Sequence, residues 1–224
     1  MLQKLKKILL SKPYLLFFLS FVYNLNSIFN IYIKRGNQFL YSKAFLQRSH
    51  VLVKKNNNKI DIRIGAYLNN CSIEVYGSNN KVVVGENCRL KDVEIHIEDD
   101  NNVVLIGKNT TIAGFTHLAC IEGTSIIIGE DCMFSKNITF RTGDSHSIID
   151  ENGLRINASM SISIGNHVWV GNSVIFSKGA AIGDNCIIGT GSIVTKAFEK
   201  SNIIVVGSPA KIVKEGINWL RKRI

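Results

Sequence analysis

The residues best suited to chemistry lie in one irregular stretch, Thr142-Gly143-Asp144-Ser145-His146-Ser147-Ile148. An imidazole titrates near neutrality and can take a proton from a hydroxyl, so His146 is a candidate general base. Asp144, two residues earlier, is placed to hold the tautomer of such a ring. A loop histidine on its own is more often a surface residue, and that reading stays open here. The other histidines have weaker claims. His117, in Phe115-Thr116-His117-Leu118, is a candidate for lining a substrate groove, with Ser145 as a second acceptor contact. His96 alternates with apolar residues and is expected on an outward face. His167 follows Gly165-Asn166 and is expected at a corner, pointing to solvent. The histidines show no metal-ligand spacing, so no metal is expected. Nucleotide and phosphate-loop fingerprints are absent from the sequence.

Such a loop needs a scaffold, and the scaffold is written between Ile164 and Val194. Every sixth residue is apolar: Ile164, Val170, Phe176, Ile182, Ile188, Val194. Two positions earlier runs a smaller row: Ile162, Val168, Val174, Ala180, Cys186, Ser192. A period of six fits neither a helix nor a single strand. It fits a coil with short flat sides, the larger residue pointing inward and the smaller one filling the corner. Glycine follows four of the six, and a backbone angle closed to other residues is the expected reason. Apolar-glycine marks recur upstream at Ile64-Gly65, Val84-Gly85, Ile106-Gly107 and Ile128-Gly129. Early coils therefore carry extra corner residues. The interval of 36 from Ile128 to Ile164 is expected to cover two coils, with 141–160 thrown out as an excursion loop. Rigid scaffolds tend to carry function on such loops.

Composition sets the remaining bounds. Asparagine clusters at 56–58, 69–70, 79–80 and 101–102 read as corners, because this side chain tolerates left-handed backbone angles. Cys88, Cys132 and Cys186 each follow a repeat glycine by three residues, at the small inward position. The five cysteines therefore read as buried structural thiols of a reducing compartment. The net charge is +10, and residues 1–55 hold ten Lys and Arg and no acid. The rest of the chain is neutral and has no basic stripe, so no nucleic-acid partner is expected. Tyr14 to Ile33 runs twenty residues without a charge. Asn24, Asn26 and Asn30 argue against a membrane span, and no cleavage site for a leader is seen. The readings are helices packed on the body, peripheral membrane contact through residues 1–55 or, least favoured, a true span. The expected organisation is a helical and connecting segment over 1–59, a coiled domain over 60–211 and a helical cap over 212–224 carrying Trp219 and Leu220. The cap would cover the open end of the stack.

Three runs together resemble a known family: His167-Val168-Trp169-Val170-Gly171, Ile188 to Lys196, and Gly207-Ser208-Pro209-Ala210-Lys211. They look like the left-handed β-helix, or hexapeptide-repeat, acyltransferases. Gly143 to Ile148 resembles the branch that O-acetylates capsular and lipopolysaccharide sugars. The resemblance implies an all-β, left-handed parallel β-helix, a homotrimer, acetyl-CoA as donor and a carbohydrate acceptor. It implies sites between neighbouring subunits and puts the family's catalytic histidine on His146. It also places Trp169 beside the acyl donor, and Thr195, Lys196 and Lys211 near coenzyme A, with Lys178 as a further candidate. Each lysine reads equally well as a solvated corner residue. The implied activity is O-acetylation of a bacterial cell-surface polysaccharide, sialic acid of a capsule being one candidate. It would take place in the cytoplasm, at the inner face of the membrane. N-acetylation of an amino sugar or amino acid, or a silent trimeric scaffold, are the alternatives.

Overall fold

In the structure, a computed structural model, residues 13–24, 30–41 and 43–224 are described. The basic opening stretch 1–12 lies outside the described residues. From Ile31 onward the chain winds into a parallel β-solenoid with three faces. Face one runs from Phe45–Gln47 to Ile203–Gly207, face two from Ile31–Ile33 to Ile193–Val194, and face three from Gln38–Leu40 to Ala197–Phe198. Two long strands, Thr111–Cys120 and Met133–Arg141, bend through a corner and serve faces one and two in turn.

The hexads account for the interior. All six large residues from Ile164 to Val194, and all six of the smaller row from Ile162 to Ser192, are buried. On face three, Ile62, Val84, Ile106, Ile128, Ile164 and Ile182 stand one above another in register. Each such side chain contributes about 1.5–3 kcal/mol by leaving water. Two spacings differ from expectation. Ile62, not Ile64, begins this column, because the corner after it holds two further residues. Ile128 pairs directly with Ile164, so the 36-residue interval is one coil with a long insertion rather than two coils.

Apart from Gly65, at φ +72°, the repeat glycines owe their place to close approach, not to an unusual backbone angle. Gly85, Gly107, Gly129, Gly165 and Gly183 are absent from the positive-φ residues. They stack so tightly that a Cβ on Gly129 would lie 2.4 Å from the Gly165 carbonyl oxygen. The left-handed angles fall instead on corner residues such as Asn57, Asn70, Asn79 and Asn101, with φ of 58°, 54°, 60° and 64°. Behind these corners the buried amides of Asn58, Asn80 and Asn102 form a ladder. The Asn80 N–H donates to Asn58 Oδ1 at 2.8 Å, and the Asn102 N–H donates to Asn80 Oδ1 at 2.7 Å. Gly129→Ala forces backbone apart from backbone. It is expected to destabilise by about 1–3 kcal/mol, seen as a lower urea midpoint.

The cysteines occupy the interior, as the sequence implied. All five are free and buried. Burial pushes the Cys88 thiol up to about 12 and those of Cys71 and Cys132 up to about 11. Such thiols do not supply a thiolate near neutral pH.

Both ends correct the expected boundaries. Residues 34–59 are not a connection: Ile31–Ile33 pairs with Val51–Val53, Gln38–Leu40 with Lys59–Asp61, and Phe45–Gln47 with Tyr67–Asn69. The solenoid thus begins near residue 31 rather than 60, its first coil disguised by a charged exterior. Within the segment expected to be helical, a single described helix, α1, covers Pro13–Asn24. The segment 212–224 is not a helix. Ala210–Glu215 turns back antiparallel on Ile203–Gly207, which covers the last strand edge, and the chain then crosses the outside of face one. There Trp219 stacks on His167 with ring centres 4.1 Å apart and donates its indole N–H to the His167 carbonyl at 2.8 Å. Arg221 reaches Asp131 Oδ1 at 3.0 Å. His167 thus sits at a corner, with φ 53°, but does not point to solvent. Its ring sits between the Asp131 carboxylate, 2.7 Å away, and the Trp219 carbonyl, 3.0 Å away.

Candidate active site

The excursion leaves face two after Arg141 and rejoins face three at Ile162, so it projects from the edge between those faces. Internally it is a short hairpin. Ile149 bridges Arg155 antiparallel, and the Ile156 N–H donates to the Ile148 carbonyl at 2.9 Å. The turn runs through Gly153 at φ +78°, an angle that suits glycine. Two ion pairs fasten it to the body. Arg155 Nη1 meets Glu122 Oε1 at 2.8 Å, and Lys178 Nζ meets Asp144 Oδ2 at 2.5 Å. The Lys178 ammonium, then the Asn157 amide, hold the Asp144 carboxyl below its ordinary value.

Asn157 is the piece that sequence reasoning missed. Its Nδ2 donates to Asp144 Oδ2 and to the His146 carbonyl, each at 2.8 Å. Its Oδ1 accepts from the Ile148 N–H at 2.8 Å and from Arg155 Nε at 3.1 Å. One nearly buried amide therefore holds the main chain at His146 and Ile148 and the side chain of Asp144 before them. Nothing in its spacing marks it out, because the excursion has no register. Asn157→Ala is expected to leave the solenoid folded while freeing the main chain at His146 and Ile148, so amide hydrogen exchange at Ile148 should quicken.

His146 itself is exposed, and its ring has no hydrogen-bond or ionic partner among the described residues. The expected contact with Asp144 is not made, because that carboxylate is occupied by Lys178 and Asn157. Lys178 is correspondingly tied to the excursion rather than free for a phosphate. Ser145 is held at φ 61° and accepts a hydrogen bond from Arg141 Nη2 at 3.1 Å. Beside it on face two lies a polar groove of about 190 Å³, lined by Ser145, Arg141, His117, Glu94 and His96 among others. His117 Nδ1 is 3.1 Å from Glu94 Oε2.

The predicted residues separate into two groups. Asp144, Ser145, His146, Lys178, Thr195 and Lys196 follow the edge between faces two and three, in successive coils, and His117 lies on face two beside them. Trp169 and Lys211 belong to face one, where Trp169 is 39% exposed and lies 6.1 Å from the Trp219 ring. In a three-sided prism that edge lies opposite face one. One chain therefore does not bring Trp169 to His146. Among the described residues no group of three or more His, Cys, Asp and Glu side chains is arranged to hold a metal ion.

A three-faced parallel winding with an edge-mounted loop places the chain in the parallel β-helix class of fold. Residues 161–196 match the family described as bacterial transferase hexapeptide (six repeats). The solved polysialic acid O-acetyltransferase OatWY is 32% identical, with 87% of this chain and 88% of that chain covered, at a TM-score of 0.63. The polysialic acid O-acetyltransferase of Neisseria meningitidis is 35% identical over 113 residues, 50% of this chain and 53% of that protein. The galactoside O-acetyltransferase of Escherichia coli (strain K12) is 35% identical over 102 residues, 44% of this chain and 48% of that protein. The match thus spans about half the length of these curated relatives. This chain belongs to the hexapeptide-repeat acyltransferase family.

Proposed function

We propose that the protein transfers an acetyl group from acetyl-CoA to a hydroxyl of a cell-surface polysaccharide sugar, with His146 as general base. The observation that carries this reading is the free, exposed imidazole of His146, mounted on a pinned loop at the same edge as Lys178, Thr195 and Lys196. A sugar hydroxyl enters from the groove beside Ser145 and His117. His146 takes its proton as the oxygen bonds to the thioester carbonyl carbon. The carbon–sulfur bond then breaks, and the proton passes to the departing thiolate, giving the sugar ester and free coenzyme A. Backbone N–H groups of the excursion stabilise the oxyanion, a role worth about 3–4 kcal/mol per donor. No acyl-enzyme is needed, because the thioester is already activated. Lys196 Nζ, 5.5 Å from the Phe198 ring centre, and Thr195 approach the coenzyme A phosphates.

A homotrimer completes the site. Trp169 and Lys211 meet His146 only if a neighbour presents its face one to the edge. The excursion also exposes Ile148, Ile149, Leu154 and Ile156, at 54–65% each, and a neighbouring subunit would cover this apolar surface. The relatives named for polysialic acid support a polysaccharide acceptor, with capsular sialic acid one candidate.

The test is to incubate the protein with acetyl-CoA and a panel of purified bacterial polysaccharides, polysialic acid among them, and follow thiol release. Acetyl groups that come off in mild alkali identify an ester. A protein with no saturable affinity for coenzyme A would overturn the reading, as would an alkali-stable product.

A further inference from the structure

Helix α1 presents most of its apolar residues outward. A single stripe faces the solenoid: Leu16, Ser20 and Asn24, all buried and spaced by four. Asn24 clips the helix to the first coils, donating to the Ala44 carbonyl at 2.9 Å and accepting from the Leu46 N–H at 2.8 Å. Tyr23 adds an edge-on contact to Phe45, with ring centres 5.6 Å apart. The same amide that counted against a span is thus the anchor of the helix to the body. The rest of the helix is apolar and open: Tyr14 is 90% exposed, Phe18 61%, and Phe17 and Phe21 53% each. An apolar groove of about 300 Å³ runs between Phe17 and Phe21 of the helix and Phe39 and Leu40 of the first coil, with Lys43 at its lining.

We propose that this end of the solenoid docks on an anionic lipid bilayer, α1 lying in the interfacial plane. The twelve described residues of α1 measure about 18 Å, less than the about 30 Å of hydrocarbon. No described helix is long and apolar enough to span a membrane. Charge selects the occupant. Residues 13–55 carry Lys34, Arg35, Lys43, Arg48, Lys54 and Lys55 and no anion, with Lys43 lining the groove, so a second copy packed on α1 would bring cation to cation. An anionic surface offers both the apolar depth for the phenylalanines and the opposite charge for the lysines. This inference stands apart from the catalytic reading, since none of these residues belongs to the edge that carries His146.

The experiment is sedimentation of the full chain with vesicles of about three parts phosphatidylglycerol to seven of phosphatidylcholine. The comparison is a variant carrying Phe18→Gln and Phe21→Gln, changes that keep helix propensity and leave the buried stripe intact. The wild type is expected to bind these vesicles at least tenfold more strongly than the variant. Its binding should weaken severalfold between about 0.05 and about 0.5 M salt, as charge screening requires. Circular dichroism and oligomeric state should match between the two. The proposal fails if the wild type stays in the supernatant, or if the variant binds equally well. It also fails if the substitutions change the oligomeric state, which would make α1 a contact between copies.

Discussion

His146→Ala is expected to lower kcat/KM by about 10²–10⁴-fold, the usual worth of a positioned base. That range equals about 2.7–5.5 kcal/mol of barrier. The substitution is clean because the excursion holds His146 by its main chain, not its ring. The Asn157 amide grips the carbonyl, and that contact survives in alanine. The exposed ring contributes no packing, so the unfolding free energy is expected to stay within about 0.5 kcal/mol of wild type. Coenzyme A affinity, measured by titration, should also be unchanged, because the phosphate candidates Thr195 and Lys196 lie in a later coil. This combination separates a base from a structural residue: turnover falls while fold and donor binding do not. Near-normal turnover would remove His146 from the reaction. The contrast with Asn157→Ala is informative as well. That change keeps the base and only loosens it, so the loss should be smaller.

How much of this was legible depended on how regular the local physics is. From Ile164 to Val194 the coils have eighteen residues with little added at corners, so the inward columns repeat at a fixed interval and the register can be counted. Upstream the coils have 22 residues, as from Val84 to Ile106, and the extra corner residues moved the first mark from Ile62 to Ile64. The first coil was hidden further. It sits at an open end where Ile31, Ile33 and Phe39 are only partly buried, so its apolar pattern is weak and its lysines dominate. The glycine positions were right for a reason that composition does not display: the limit is the distance between stacked backbones. The return of the chain end rests on Trp219 meeting His167 across 52 residues, and no local period encodes such a contact. Asp144 shows the same limit within the site. Its nearness to His146 in sequence suggested a pair, yet Lys178, 34 residues away, is the group it meets.

Phe140→Ala is the substitution expected to damage the scaffold most. Phe140 is fully buried and is the middle ring of a stack, 4.6 Å from Phe176 and 5.9 Å from Phe134 between ring centres. Its register partner on the next coil is Phe176, and its neighbour in sequence, Arg141, is where the excursion departs. Removing the ring takes away its transfer energy and leaves a cavity that the flanking coils cannot close, since their backbones are already in contact at the corners. The expected cost is about 3–5 kcal/mol. Phe140→Leu, which keeps most of the volume, should recover more than half of it. A solenoid sums interactions between neighbouring coils, so the damage is expected to be local before it is global. Hydrogen exchange should therefore quicken first in Phe140 to Thr142 and Ile175 to Ser177, while the strands near Val53 and Val75 keep their protection. Turnover should fall with it, because the same coil supports the loop that carries His146. Equal loss of protection along the whole stack would show that the coils unfold as one unit, and the cost would then read as a single cooperative transition.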